Sequence, residues 1–190
     1  MDWLEQELRD NDRRDFPDRL TRFREINDWF QIPPGGLSFP DFEIGIALSE
    51  AQFAYVNGFW LSAILTALTA LERHLAWRLA HAGSKNVEHM SAKTLLDHAL
   101  SAGFVGVLQA EEITKLRRCR NAYAHFRKNS RFVVTMFAQW DAAHAADAEF
   151  GPDINFVLHV EAKTAVQLAS AYFLVAGRDR FSDGDSEPSS

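Results

Sequence analysis

At 190 residues, with 47% hydrophobic, 12% aromatic and 24% charged residues, the chain has the length of one domain with or without an appendage, and apolar mass for a sizeable core. Disordered, collagen-like and mucin-like classes are excluded by that composition, and the single Cys119 excludes a disulfide scaffold or a thiolate zinc cage. The net charge of −6 disfavours polyanions over most of the surface and makes any local basic cluster informative.

In chain order, Met1 is followed by Asp2, Glu5 and Glu7 rather than by a basic segment and an apolar core, so no secretory signal is legible. Trp3, Leu4 and Leu8, then Leu20, Phe23, Ile26 and Phe30, recur at helical spacing. They predict one or two amphipathic helices, with Asp15-Phe16-Pro17 as the boundary if there are two. QIPPGGLSFPD over residues 31–41 is too rich in proline and glycine for a regular element. Residues 1–40 therefore read as a helical arm and a loop, and residues 41–177 as the main bundle.

From Phe42 to Ala82 the pattern is helical with Asn57-Gly58 as its internal break. Its second half, FWLSAILTALTALERHLAWRLA, is apolar almost all round until Glu72, as a central buried helix is. Gly83 should stop it. A shorter helix is expected from about Ser91 to Ala102, with Leu95, Leu96, Ala99 and Leu100 inward and Gly103 at its end. The next should run from about Gln109 to Lys128. RFVVTMFAQW suits strand or helix by composition, and INFVLHV has strand-like residues, while Glu161 to Ala176 again reads as an amphipathic helix. Residues 178–190, RDRFSDGDSEPSS, read as a disordered tail. The longest apolar runs, Gly58 to Leu71 and Thr164 to Gly177, are shorter than a membrane span needs, so a soluble cytoplasmic protein is expected.

Charge is concentrated in one place. Residues 113–131 carry Lys115, Arg117, Arg118, Arg120, Arg127, Lys128 and Arg131 with no acid among them, whereas the remaining 13 basic residues face all 26 acids. This asymmetry points to a local anion site. At about 100° per residue, Ile113, Leu116, Cys119, Tyr123 and Phe126 form one core stripe, and Arg120, Arg117, Asn121 and His125 spread over the other side. Asn121 and His125 are four apart and can touch. Arg120 and His125 diverge by about 140°, so one helix cannot aim both at a single phosphate without a long arginine reach or a second copy of itself.

RNAYAH, from Arg120 to His125, resembles the signature of the HEPN superfamily of helical nucleotide-binding domains. That signature is an arginine, often followed by a polar residue, and then a histidine after four to six positions. The surroundings agree in order: a long apolar helix ending near LERHL, a short helix KTLLDHALSAG, then a helix running into ITKLRRCRNAYAHFR. The resemblance covers roughly residues 42–128, with Glu161 to Ala176 as a last bundle helix. It implies an all-α fold, a four- or five-helix bundle, commonly a homodimer in which two motifs share a cleft. It also implies a metal-independent endoribonuclease of the toxin-antitoxin or phage-defence kind, with an antitoxin or regulatory protein as a further partner and no cofactor. Other members of the superfamily bind RNA or proteins without cutting. In some toxins a tyrosine two places after the histidine is modified to silence them; that place is Arg127 here, so the resemblance does not extend to this control.

The residue chemistry points the same way. Cleaving RNA through its own 2′-hydroxyl needs a proton carrier near neutral pH, which His125 can be, and a cation for the phosphorane, which Arg120 can be. Asn121 would orient the histidine or the nucleotide. Arg117, Arg118, Arg127 and Lys128 are the candidate RNA-backbone contacts.

Other groupings carry less. Glu72 is placed to pair with a motif arginine or to form a structural salt bridge. His74 and His81, seven apart, lack a third metal ligand, and His89, His98, His144 and His159 have no ligand spacing. Ser62, Ser91 and Ser170 lack a nucleophile elbow, and no glycine-rich phosphate loop is present. A purely assembly-forming role would be favoured by exposed N-terminal aromatics, for which Trp3, Trp29 and Phe30 are the candidates.

Overall fold

The computed structural model describes residues 2–31, 39, 41–124 and 154–182, and these form helices without any strand. In order they are α1 (Trp3–Trp29), α2 (Phe42–Val56), α3 (Trp60–His81), α4 (Ala92–Ser101), α5 (Val107–Ala124) and α6 (Ile154–Ser182), with a single 3-10 turn at Val87–His89 before α4. The expected all-α bundle is what the chain builds.

Its centre is α3. Ala63, Ile64, Ala67, Leu68, Ala70, Leu71, Leu75 and Leu79 are all buried, and a helix apolar on so many sides is stable only when other helices surround it. α2 covers it with Ile44, Leu48, Ala51 and Tyr55, and α6 with Ala162, Ala165, Val166, Ala169 and Phe173. α4 and α5 close the remaining side through Leu95, Leu96, Ala110, Ile113 and Leu116. Alanines at many of these contacts let the backbones approach closely, and the larger side chains interdigitate between them.

The boundaries follow local chemistry. Asp41 caps α2 by accepting from the Glu43 amide at 3.0 Å, and Ser91 caps α4 by accepting from the Thr94 amide at 3.1 Å, each satisfying a helix-end donor. Between α2 and α3 the chain reverses at Gly58, where φ is +77°, a conformation that a side chain would strain. Gly83 (φ +88°) and Gly103 (φ +73°) end α3 and α4 in the same way.

Of the one or two helices expected at the start of the chain there is one, α1, continuous through Pro17. The proline removes one internal bond, but Arg19 reaches back across it to the Asp12 carboxylate and to the Asp12 carbonyl oxygen at 3.4 Å, bridging the weakened turn. INFVLHV is helical, forming the first turns of α6; packing against α3 overrides its β-branched composition. α6 also runs over Arg178–Ser182, into the segment read as a tail. Leu100 is 37% exposed rather than inward. Trp29 and Phe30 are packed against the core, which leaves Trp3 as the exposed member of the three aromatics. Most of the 31–41 loop, residues 125–153 with RFVVTMFAQW and His144, and residues 183–190 lie outside the described residues.

No helix among the described residues is long and apolar enough to cross a membrane.

Candidate functional site

The basic helix is held to the centre of the bundle by one carboxylate. Ile113 and Leu116 are buried against α3, and this fixes the rotation of α5 so that Arg117 and Arg120, one and four positions after Leu116, lie along the flank of α3. Glu72, the first acid after the apolar run of α3, meets them there. Arg120 Nη1 donates to both Glu72 oxygens, at 2.9 Å to Oε1 and 2.8 Å to Oε2, and Arg117 Nε stands 3.5 Å from Oε1. The three side chains are only 14–21% exposed, so water screens the pairing weakly. Glu72 therefore pairs with two motif-side arginines.

Two guanidinium groups share the Glu72 carboxylate, and Asp97 is the next acid within electrostatic reach of Arg117. Burial pulls the Arg117 guanidinium below its ordinary value and Arg120 adds to that, while Glu72 and Asp97 hold it up; an arginine remains charged at neutral pH even so. Arg117 Nε has no hydrogen-bond partner among the described residues. Arg120 commits one terminal nitrogen to Glu72, and its Nη2 and Nε make no hydrogen bond to any described residue. The group is thus oriented on one side, and among the described residues its other donors are left for an anion such as a phosphate.

Of the other sequence candidates, Arg118 and Asn121 are exposed on α5. The side chains of Cys119 and Tyr123 are not among those described, and His125, Phe126, Arg127 and Lys128 lie outside the described residues. Comparison with family models, curated proteins and solved structures finds no match to this chain.

The two histidines of α3 lie in different surroundings. His74 is buried among Trp77, Tyr172 and Phe173, with ring centroids 5.9, 5.4 and 5.0 Å away, whereas exposed His81 donates from Nδ1 to the Trp77 carbonyl at 2.9 Å. No group of three or more His, Cys, Asp or Glu able to hold a metal occurs among the described residues. Ser91 is spent on its helix cap and Ser170 is fully buried, so neither is presented as a nucleophile.

A polar cluster that no sequence spacing announces ties α1 to the bundle. Glu25 of α1 accepts from Tyr55 Oη of α2 at 2.6 Å and from Lys163 Nζ of α6 at 2.5 Å. His159 Nε2 lies 3.3 Å from the same Tyr55 oxygen, and its ring lies 4.6 Å from that of Trp60. Arg22 binds the Val56 carbonyl at 2.9 Å and sits 5.2 Å from the Trp60 ring. Burial would raise the Glu25 carboxyl, but the hydrogen bonds from Lys163 and Tyr55, with the Lys163 and His159 charges, hold it below its ordinary 4.5. Burial pushes His159 below its ordinary 6.5; Glu25 opposes this, and Arg22 and Lys163 reinforce it. The Tyr55 phenol is raised by burial and by Glu25 and stays protonated.

Both shifted groups act in one direction on acidification. The unfolded chain takes up protons that the folded cluster resists, so stability is lost as pH falls. The His159 contribution begins to be lost below about pH 6.5 and the Glu25 contribution below about pH 4.5. Thermal melts from about pH 8 to about pH 3 should show a midpoint falling in both windows, and His159→Phe should flatten the upper one. An unchanged slope between pH 6.5 and 5 in that variant would count against the assignment.

Proposed function

We propose that this protein is a metal-independent endoribonuclease of the HEPN kind, cutting RNA through its own 2′-hydroxyl and working as a homodimer. The observation that carries this reading is the anchoring of Arg120, the first residue of RNAYAH, on Glu72 through one terminal nitrogen, the rest of its guanidinium having no partner among the described residues. A clamp fixed in advance loses little freedom when it takes the phosphate, and it stabilises the charge that builds on the phosphorane. His125 is the proton carrier: the 2′-oxygen attacks phosphorus as its proton leaves, the bond from phosphorus to the 5′-oxygen breaks, and that oxygen gains a proton. Asn121 orients His125 or the nucleotide, and Arg117, Arg118, Arg127 and Lys128 contact the backbone. A second copy places another His125 in the same cleft, which overcomes the divergence of Arg120 and His125 on one helix. The biological setting that goes with this activity is that of a toxin or phage-defence effector, restrained by an antitoxin or regulatory protein, in the cytoplasm.

The same ion pair favours a second reading, a non-catalytic HEPN-like module that binds RNA or a protein, with Arg120 serving to hold α5 on α3. End-labelled RNA and its DNA counterpart, incubated with pure protein with and without excess chelator, separate the two. The nuclease should cut RNA in chelator, spare DNA, and leave upstream fragments ending in a 2′,3′-cyclic phosphate. Loss of activity on chelation, equal cutting of DNA, or a free 3′-hydroxyl would contradict the roles given to Arg120 and His125. RNA bound but uncut would favour the second reading.

A further inference from the structure

Arginine and carboxylate frequently pair as a fork, two nitrogens of the guanidinium donating in parallel to two oxygens. Glu72 and Arg120 do not. A single nitrogen of Arg120, Nη1, donates to both Glu72 oxygens, at 2.9 Å and 2.8 Å, so the carboxylate straddles one corner of the guanidinium. This pose gives up the second parallel bond, and a further pull on the carboxylate accounts for it.

Arg117 supplies that pull. It precedes Arg120 by three positions, about 60° away around α5, so both side chains reach the same flank of α3. Its Nε lies 3.5 Å from Glu72 Oε1 and makes no hydrogen bond there, which leaves the attraction of charge for charge. The three side chains are mostly withdrawn from water, and at that depth the attraction is weakly screened. Among the described residues no other side chain bonds or pairs with Glu72. Without Arg117, the carboxylate is free to turn toward a second nitrogen of Arg120.

We propose that Arg117 is a positioning residue for Arg120: by drawing Glu72 Oε1 toward itself it keeps the carboxylate from closing a two-nitrogen fork on Arg120, and so leaves Arg120 donors for the phosphodiester of the substrate. The fork follows from the geometry of the ion pair, while the part played by the phosphodiester rests on the ribonuclease reading. The positioning is the work of Nε, and the terminal nitrogens of Arg117 remain for the backbone contact given above.

Arg117→Met in the full chain keeps an unbranched side chain and removes the charge. A crystal structure of that variant should show Glu72 turned into the fork, with Nη1 and a second nitrogen of Arg120 each bonded to one oxygen. Single-turnover cleavage at saturating RNA should fall by about tenfold or more, because donors aimed at developing charge act on kcat, whereas a lost backbone contact raises KM. In a Glu72→Gln background no carboxylate remains to form the fork, and Arg117→Met should lower the rate no further. Arg117→Lys returns a cation beside Oε1 and should restore the corner contact and most of the rate. Should Arg117→Met not fold, Arg117→Gln, polar but uncharged, should give the same fork and the same loss. Glu72 staying on Nη1 alone in the uncharged variants, an unchanged rate, or an equal loss in both backgrounds overturns the proposal. If the intact protein cuts no RNA, the ribonuclease reading falls, and the variant structure still decides whether Arg117 holds Glu72 off the fork.

Discussion

His125→Ala should lower RNA cleavage by about 10² to 10⁴-fold, the range lost with general acid-base help, while leaving the thermal midpoint almost where it was. A group that exchanges protons with a bound substrate carries chemistry rather than core packing, and substitutions outside the core usually change stability by about 0.5 kcal/mol or less. Single-turnover rates with a short labelled RNA, read beside a melting curve of the same preparation, give both numbers. An inactive variant that was also unfolded would make the histidine a fold element, and a fully active one would remove it from the chemistry.

Glu72→Ala should act on stability and activity together. Removing the carboxylate leaves Arg117 and Arg120 side by side, each mostly withdrawn from water, and takes from Arg120 a charge-assisted contact of the class worth about 1.5–3 kcal/mol. Cleavage should fall as well, because the clamp is no longer held. Arg120→Ala should cost a comparable amount, since it strands the Glu72 carboxylate in the same surroundings. Combined, the two should cost about 0.5–3 kcal/mol less than their sum. Additive costs would show that the contact between Glu72 and Arg120 carries no energy. A cleavage rate indifferent to Glu72→Ala would show that the anchor has no part in catalysis.

What the sequence showed of this fold was its local chemistry. Asn57-Gly58, Gly83 and Gly103 could be read as breaks because each glycine adopts a conformation that its neighbours in sequence cannot. The burial of α3 was readable because its apolar residues surround the helix. Pro17 left one helix or two open because its cost depends on what bridges the weakened turn, and the reach of Arg19 to Asp12 is a matter of side-chain direction. INFVLHV misled because residues with high strand propensity are accepted in a helix that is buried on one side. In the candidate site, Glu72 could be foreseen as an arginine partner, since an acid ending an apolar run must be compensated. Its simultaneous contact with Arg117 and Arg120 depends on how α5 is rotated against α3. The contact between Tyr55 and His159 joins residues 104 positions apart, and no local pattern marks either of them.

The clasp on Glu25 also sets an order of events during synthesis. Lys163 follows Glu25 by 138 positions, which at about 5–20 residues per second is roughly 7–28 s of translation. Until α6 emerges, the faces of α2 and α3 that it covers stay open, and Glu25 lacks its lysine. Helices α1 to α5 can form early, but they cannot close their core. A ribosome paused in that interval displays a half-wrapped central helix, the kind of surface that holdase chaperones engage and that neighbouring nascent chains can join.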